Sequence, residues 1–209
     1  TYINTFNADI DGVLAQVERV DRETGVLQDV NIIDSDNLIE DYFTYKVCYF
    51  VCGILWRKSF LEKQNELFDE TIKNHDEWDF NLRMIYKKPK IQKVKKVLVT
   101  YFQDFESLKN EIKKGNDLEI NSAFKARFKH LDLLLKQDPN NQIRYTNHIA
   151  DFYIKTVRNK LLLGQSNWFL YYKYAIYYKY KTHSFLSIFN VSVGIILLKF
   201  FGKGYSFFK

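Results

Sequence analysis

The sequence predicts an α/β protein: a mixed sheet with helices over residues 1–105, then a mostly α-helical C-terminal region. Three observations lead there. β-branched and aromatic runs bounded by turn residues fill the first hundred positions. Beyond Asp104, apolar residues recur at threes and fours. Composition also shifts: Phe152 to Lys209 carries nine Lys or Arg, no Asp or Glu, and 17 of the 36 aromatics. The rest of the chain is net negative, so the formal +6 is entirely C-terminal. Residues 106–183 are accordingly read as a helical region and 184–209 as an amphipathic tail. A length of 209 residues suits one sizeable core or two small ones.

Each element has its signal. Ile10 to Val20 alternates loosely, Asp21-Arg22-Glu23-Thr24-Gly25 is a turn cluster, and Val26 to Ile33 is extended again, which predicts a hairpin. Leu38 to Lys46 is read as a short amphipathic helix, and Val47 to Trp56 as a buried strand in which Gly53 permits close backbone approach. Cys48 and Cys52 lie in that run and are read as small buried hydrophobes. A zinc site needs more ligands nearby, and there is no disulfide framework, which makes a reducing compartment the default. Ser59 is placed as N-cap of a helix through Leu67, and Asp76 of another through Tyr86, with Trp78, Leu82 and Ile85 on one face and Pro89 as the stop. Ile91–Val94 and Val97–Phe102 read as strands separated by Lys95-Lys96. Asn116 or Asp117 then caps a helix carrying Ile120, Phe124, Phe128, Leu131 and Leu135, ended by Asp138-Pro139. Ile143 to Leu163 repeats the theme, and Ser166 or Asn167 starts a third helix to about Lys181, so three antiparallel helices are expected.

The chemistry is concentrated in Phe68-Asp69-Glu70 and Asp76-Glu77-Trp78-Asp79-Phe80. Carboxylates favour the positive end of a helix, which by itself accounts for Asp69, Glu70 and Asp79. Asp76 and Glu77 beside Trp78 add something: an aromatic wall raises a carboxylate pKa and offers a stacking platform for a sugar ring. The four histidines, His75, His130, His148 and His183, are scattered and assigned to surface or packing.

With Gly53-Ile54-Leu55-Trp56-Arg57-Lys58-Ser59 before these residues, and Leu82-Arg83, Pro89-Lys90-Ile91, Val97-Leu98-Val99-Thr100-Tyr101 and Ser107 after them, the chain resembles family 2 glycosyltransferases of the GT-A type over roughly Ile10 to Ser107. The resemblance implies the acceptor-side part of such a domain and an inverting transfer from a nucleotide-sugar donor to a saccharide or lipid-linked acceptor, as in cell-surface polysaccharide synthesis. Family members place an acidic pair, usually Glu-Asp, at the acceptor hydroxyl, the second member acting as general base. Carried over, Glu77 is the base, Asp76 its neighbour, and Trp78 and Arg83 bind substrate. The order here is reversed. A glutamate reaches one methylene further, so either the base is displaced by about a bond length or Asp76 does the work.

A divalent metal, Mg or Mn, is implied for the full-length enzyme, held by an Asp-x-Asp motif. Asp9-Ile10-Asp11 follows no apolar strand, and only 16 residues lie between Asp36 of Asp34-Ser35-Asp36 and Gly53, so neither fits the place of that motif. The nucleotide-binding half and metal ligands are therefore expected upstream of Thr1, and this portion alone is expected not to transfer sugar. The opening stretch also lacks a secretory signal pattern.

In the tail, the tyrosines and lysines of Trp168 to Lys181 suit the boundary between headgroups and acyl chains. Phe185 to Leu198 is shorter than the roughly 20 residues a spanning helix needs. It is read either as lying on a membrane, peripheral on the cytoplasmic face of the plasma membrane, or as the core of a helical cap. Nucleic acid is disfavoured, because apolar residues outnumber lysines in Ser184 to Phe201 and no RNA-binding signature is present. A noncatalytic module of glycosyltransferase shape is the competing class, with the Asp76-Glu77 pair arguing against it.

Overall fold

The computed structural model of the protein describes residues 9–103 and 108–208. Ser107, the last residue of the resemblance, lies outside them. The chain forms two compact units, Thr1–Ser107 and Leu108–Lys209.

The first unit is mixed α/β, built around strand β1 (Gly12–Asp21). Its residues Val13, Leu14, Ala15 and Val17 are fully buried, so both faces of the strand are covered at this end. Strand β2 (Leu27–Val30) returns antiparallel to it, giving the expected hairpin. Asp21 Oδ1 accepts from the backbone of Glu23 and Thr24 in the turn, and Gly25 takes the left-handed conformation there. Strand β3 (Ile54–Trp56) is antiparallel to Gly12–Leu14 of β1. Along the opposite edge β4 (Ile91–Gln103) is parallel to β1 over its whole length, which makes the sheet mixed. Lys95-Lys96 does not separate two strands. Ala15 pairs with Val94 and Gln16 with Val97, so the lysines sit in a bulge, where Lys95 and Lys93 both reach Asp34, at 2.8 and 3.2 Å.

Helix α1 (Leu38–Phe43) starts where the pattern predicts and stops three residues short of Lys46, because Tyr45 takes left-handed backbone. The expected strand from Val47 does not form: only Ile54–Trp56 is extended, preceded by a 3₁₀ turn at Val51–Gly53. Side chains and loop backbone take the hydrogen bonds that a ladder would have used. Asn31 is buried; it accepts from Val17 N at 2.7 Å through Oδ1 and donates to Cys48 O at 2.7 Å through Nδ2. Gly53 does permit close approach, since a Cβ there would stand 2.6 Å from Val17 Cγ2. The cysteines are not the buried pair expected: Cys48 is half-buried and Cys52 exposed. Helix α2 is a single turn (Lys58–Leu61) capped at Arg57, because the polar Glu62 to Glu66 gives a longer helix no apolar face. Helix α3 (Asp76–Tyr86) buries Trp78, Leu82 and Ile85 as predicted, with His75 rather than Asp76 at its N-cap position.

The second unit is helical: α4 (Leu108–Lys113), α5 (Asp117–Gln137), α6 (Gln142–Leu162), α7 (Trp168–Lys181) and α8 (Phe185–Phe201). Asn116 caps α5, accepting from Leu118 N. The core is aromatic: Tyr153 of α6 lies against Phe124 of α5 at 4.0 Å between centroids and against Tyr174 and Tyr178 of α7 at 5.3 and 5.8 Å. Phe185 to Leu198, read as a short tail segment, belongs to the 17-residue α8. The last turn folds back on that helix, where a Cβ at Gly194 would lie 2.8 Å from Phe207. No helix among the described residues is long and apolar enough to cross a membrane.

Lys160 of α6 is completely buried. Its ammonium donates to Asp117 at 2.8 Å, Gln165 Oε1 at 2.8 Å and Gly115 O at 3.2 Å. Asp117 also accepts from Tyr171 at 2.7 Å and Asn167 at 2.8 Å, so one carboxylate gathers α5, α6 and α7. Partial burial pushes the Asp117 pKa up, but the hydrogen bonds from Lys160 and Tyr171 more than reverse this and leave it lowered. Asp117→Ala strands the ammonium and should cost about 2–3 kcal/mol in urea denaturation, whereas Lys160→Met, which removes the charge, should cost less.

Burial, reinforced by Arg127 and Lys155, lowers the pKa of His148 from 6.5 to about 3. The unfolded chain then takes up a proton that the folded one refuses. Stability from this residue is complete above pH 6.5 and drains as pH falls toward about 3. Urea midpoints should decline across that window, and His148→Gln should flatten the decline.

Candidate functional site

The site assembles around the N-terminus of α3. Its approach is fixed by Arg83, whose Nε pairs with the fully buried Asp79 at 2.8 Å while Nη1 and Nη2 donate to the carbonyls of Glu66 and Leu67 at 2.7 and 2.6 Å. Phe68 stacks on Phe80 at 4.7 Å, and Asp69 Oδ1 accepts from Thr71 N. The Phe68-Asp69-Glu70 segment is thus tied to the helix it precedes. Arg83, expected to bind substrate, has all three guanidinium nitrogens engaged in this brace.

Trp78, expected as a stacking platform, is a core residue 6 % exposed; its indole N–H donates to Tyr42 O at 3.2 Å. Tyr45 lies over it, 5.6 Å away and nearly parallel, and is the ring that meets solvent here. Sequence reasoning missed Tyr45, which follows α1 with no motif around it. Both Tyr45 and His75 adopt left-handed backbone, φ 64° and 71°, and their rings meet edge to face at 6.0 Å. Bulky side chains pay roughly 1–3 kcal/mol for such a conformation, a cost that concentrates at functional sites.

Asp76 and Glu77 occupy the first turn of α3, both half-buried. Glu77 Oε1 accepts from Val51 N in the 3₁₀ turn before β3, so the carboxylate joins the helix to the sheet. Its pKa is raised, by burial first and then by the charge of Asp76, against the lowering effect of the Val51 hydrogen bond. Cys52 lies alongside, its thiol pKa raised by burial and by Glu77. The sequence-predicted pair thus sits at one helix end, with one carboxylate whose pKa is raised, the direction that makes its ionised form more basic.

Among the described residues, no group of three or more His, Cys, Asp or Glu is placed to hold a metal ion. Asp34 is held by Lys93 and Lys95, and Asp11 accepts from Lys90 N at 2.8 Å. No protein-family model, curated protein or solved structure matches the chain.

A raised carboxylate pKa means that ionising Glu77 costs the fold free energy. Its neutral form fits best below the ordinary value of 4.5, and stability is lost as pH rises through the raised one. Glu77→Gln keeps an acceptor for Val51 N and removes that cost. It should raise the thermal midpoint at neutral pH and change it little below pH 4.5.

Proposed function

We propose that this chain is the acceptor-side portion of an inverting family 2 glycosyltransferase of the GT-A type, with Glu77 as general base. The observation that carries the reading is the Glu77 carboxylate, half-buried at the start of α3, raised in pKa and anchored to Val51. In the proposed reaction Glu77 takes the proton of an acceptor hydroxyl, whose oxygen bonds to the anomeric carbon of a nucleotide sugar. The bond from that carbon to the nucleoside diphosphate breaks with inversion. Asp76 keeps the Glu77 pKa up by its charge, and the exposed ring of Tyr45, rather than Trp78, offers a face to a sugar. A divalent Mg or Mn would neutralise the leaving diphosphate, with its ligands and the nucleotide site assigned to sequence outside these residues.

The test is transfer by the full-length gene product with a panel of nucleotide sugars, saccharide acceptors and Mg or Mn. Glu77→Gln should lower kcat by about a hundredfold or more while donor binding persists. Loss of activity in Asp76→Asn alone would move the base to Asp76. Full activity in both variants would overturn the reading in favour of a noncatalytic module.

A further inference from the structure

We propose that the outer face of α7 and α8 is a docking surface for an anionic lipid membrane. Helix α8 is apolar on both sides. Val191, Gly194 and Ile195 face the core, while Phe185, Phe189, Val193, Ile196 and Phe200 form a stripe on the opposite face. Phe189 is 64 % and Phe200 71 % exposed, so this stripe has the composition of a core and the accessibility of a surface. The outer face of α7 is of a different kind: Phe169, Tyr177 and Tyr180 alternate with Lys173 and Lys181, the pairing of aromatic ring and ammonium that suits headgroup depth. The two faces are continuous. Tyr180 meets Phe185 edge-on at 5.8 Å at one end of the antiparallel pair, and at the other Lys199 lies 5.8 Å from the rings of both Trp168 and Phe200.

Charge selects the occupant. Lys173, Lys181, Lys199 and Lys203 are exposed on these helices and the turn after them, and no Asp or Glu occurs after Asp151. A second copy of the chain would bring two rims of the same sign together. Nucleic acid would satisfy the lysines and leave Leu186, Ile196 and Phe200 facing phosphate. A plane of anionic headgroups above acyl chains satisfies both sets at once. At 17 residues α8 lies along the surface instead of spanning it, consistent with the absence of a spanning helix among the described residues. The inference rests on the second unit alone and is independent of the transferase reading.

Co-sedimentation of the chain with phosphatidylcholine vesicles, with and without phosphatidylglycerol, tests it. Binding should require phosphatidylglycerol and weaken with added salt. Phe189→Asp with Phe200→Asp should lower partitioning about tenfold or more while helical circular dichroism and the thermal midpoint hold. Lys173→Glu with Lys181→Glu should remove the preference for phosphatidylglycerol, and Glu77→Gln should leave binding unchanged. The proposal fails if neither vesicle pellets the protein. It also fails if single-stranded DNA binds with an affinity that only the lysine variant abolishes, or if light scattering shows a dimer that Phe189→Asp dissolves and vesicles do not compete with.

Discussion

Strand β1 has two edges, and the first unit depends on both being occupied. Strand β4 takes one edge over its whole length; β3 and β2 divide the other, at Gly12–Leu14 and at Glu18–Val20. The gap between β2 and β3 is where Asn31 bonds to Val17 and Gly53 passes close to the Val17 side chain. That arrangement puts the 3₁₀ turn of Val51–Gly53 against the sheet and offers Val51 N to Glu77. The position of the candidate base is thus set by how a central strand shares one edge between two short partners.

Much of this architecture is legible in the sequence, and each failure has a physical cause. The hairpin, α3 and α5 to α7 carry strong local signals, either turn chemistry or a full helical period. The segment Val47–Phe50 is apolar and β-branched enough to read as strand. Its polar backbone is satisfied instead by groups distant in sequence, including Asn31 at Cys48 O and Asn81 at Tyr49 O, which no local window contains. Lys95-Lys96 misleads for the opposite reason: two charges interrupt the pattern, while the bulge that accommodates them leaves β4 continuous.

The candidate site was legible in part. The acidic pair at a helix start is visible because its neighbours obey helical spacing. Burial of Trp78 is equally implied by that spacing, since a residue on the same face as Leu82 and Ile85 belongs to the core before it belongs to a ligand. Tyr45 owes its place to a left-handed turn after α1, a backbone choice without a glycine or asparagine to announce it.

Cys52 gives the site an internal electrometer. Its thiol reaches the surface, and its pKa is held up by partial burial first and then by the Glu77 carboxylate. Removing the Glu77 charge by Glu77→Gln relieves part of that field and lowers the pKa of the Cys52 thiol. The alkylation rate of this one sulfur, compared between the wild type and Glu77→Gln at a single pH, therefore records the charge of a carboxylate that no spectroscopic label touches.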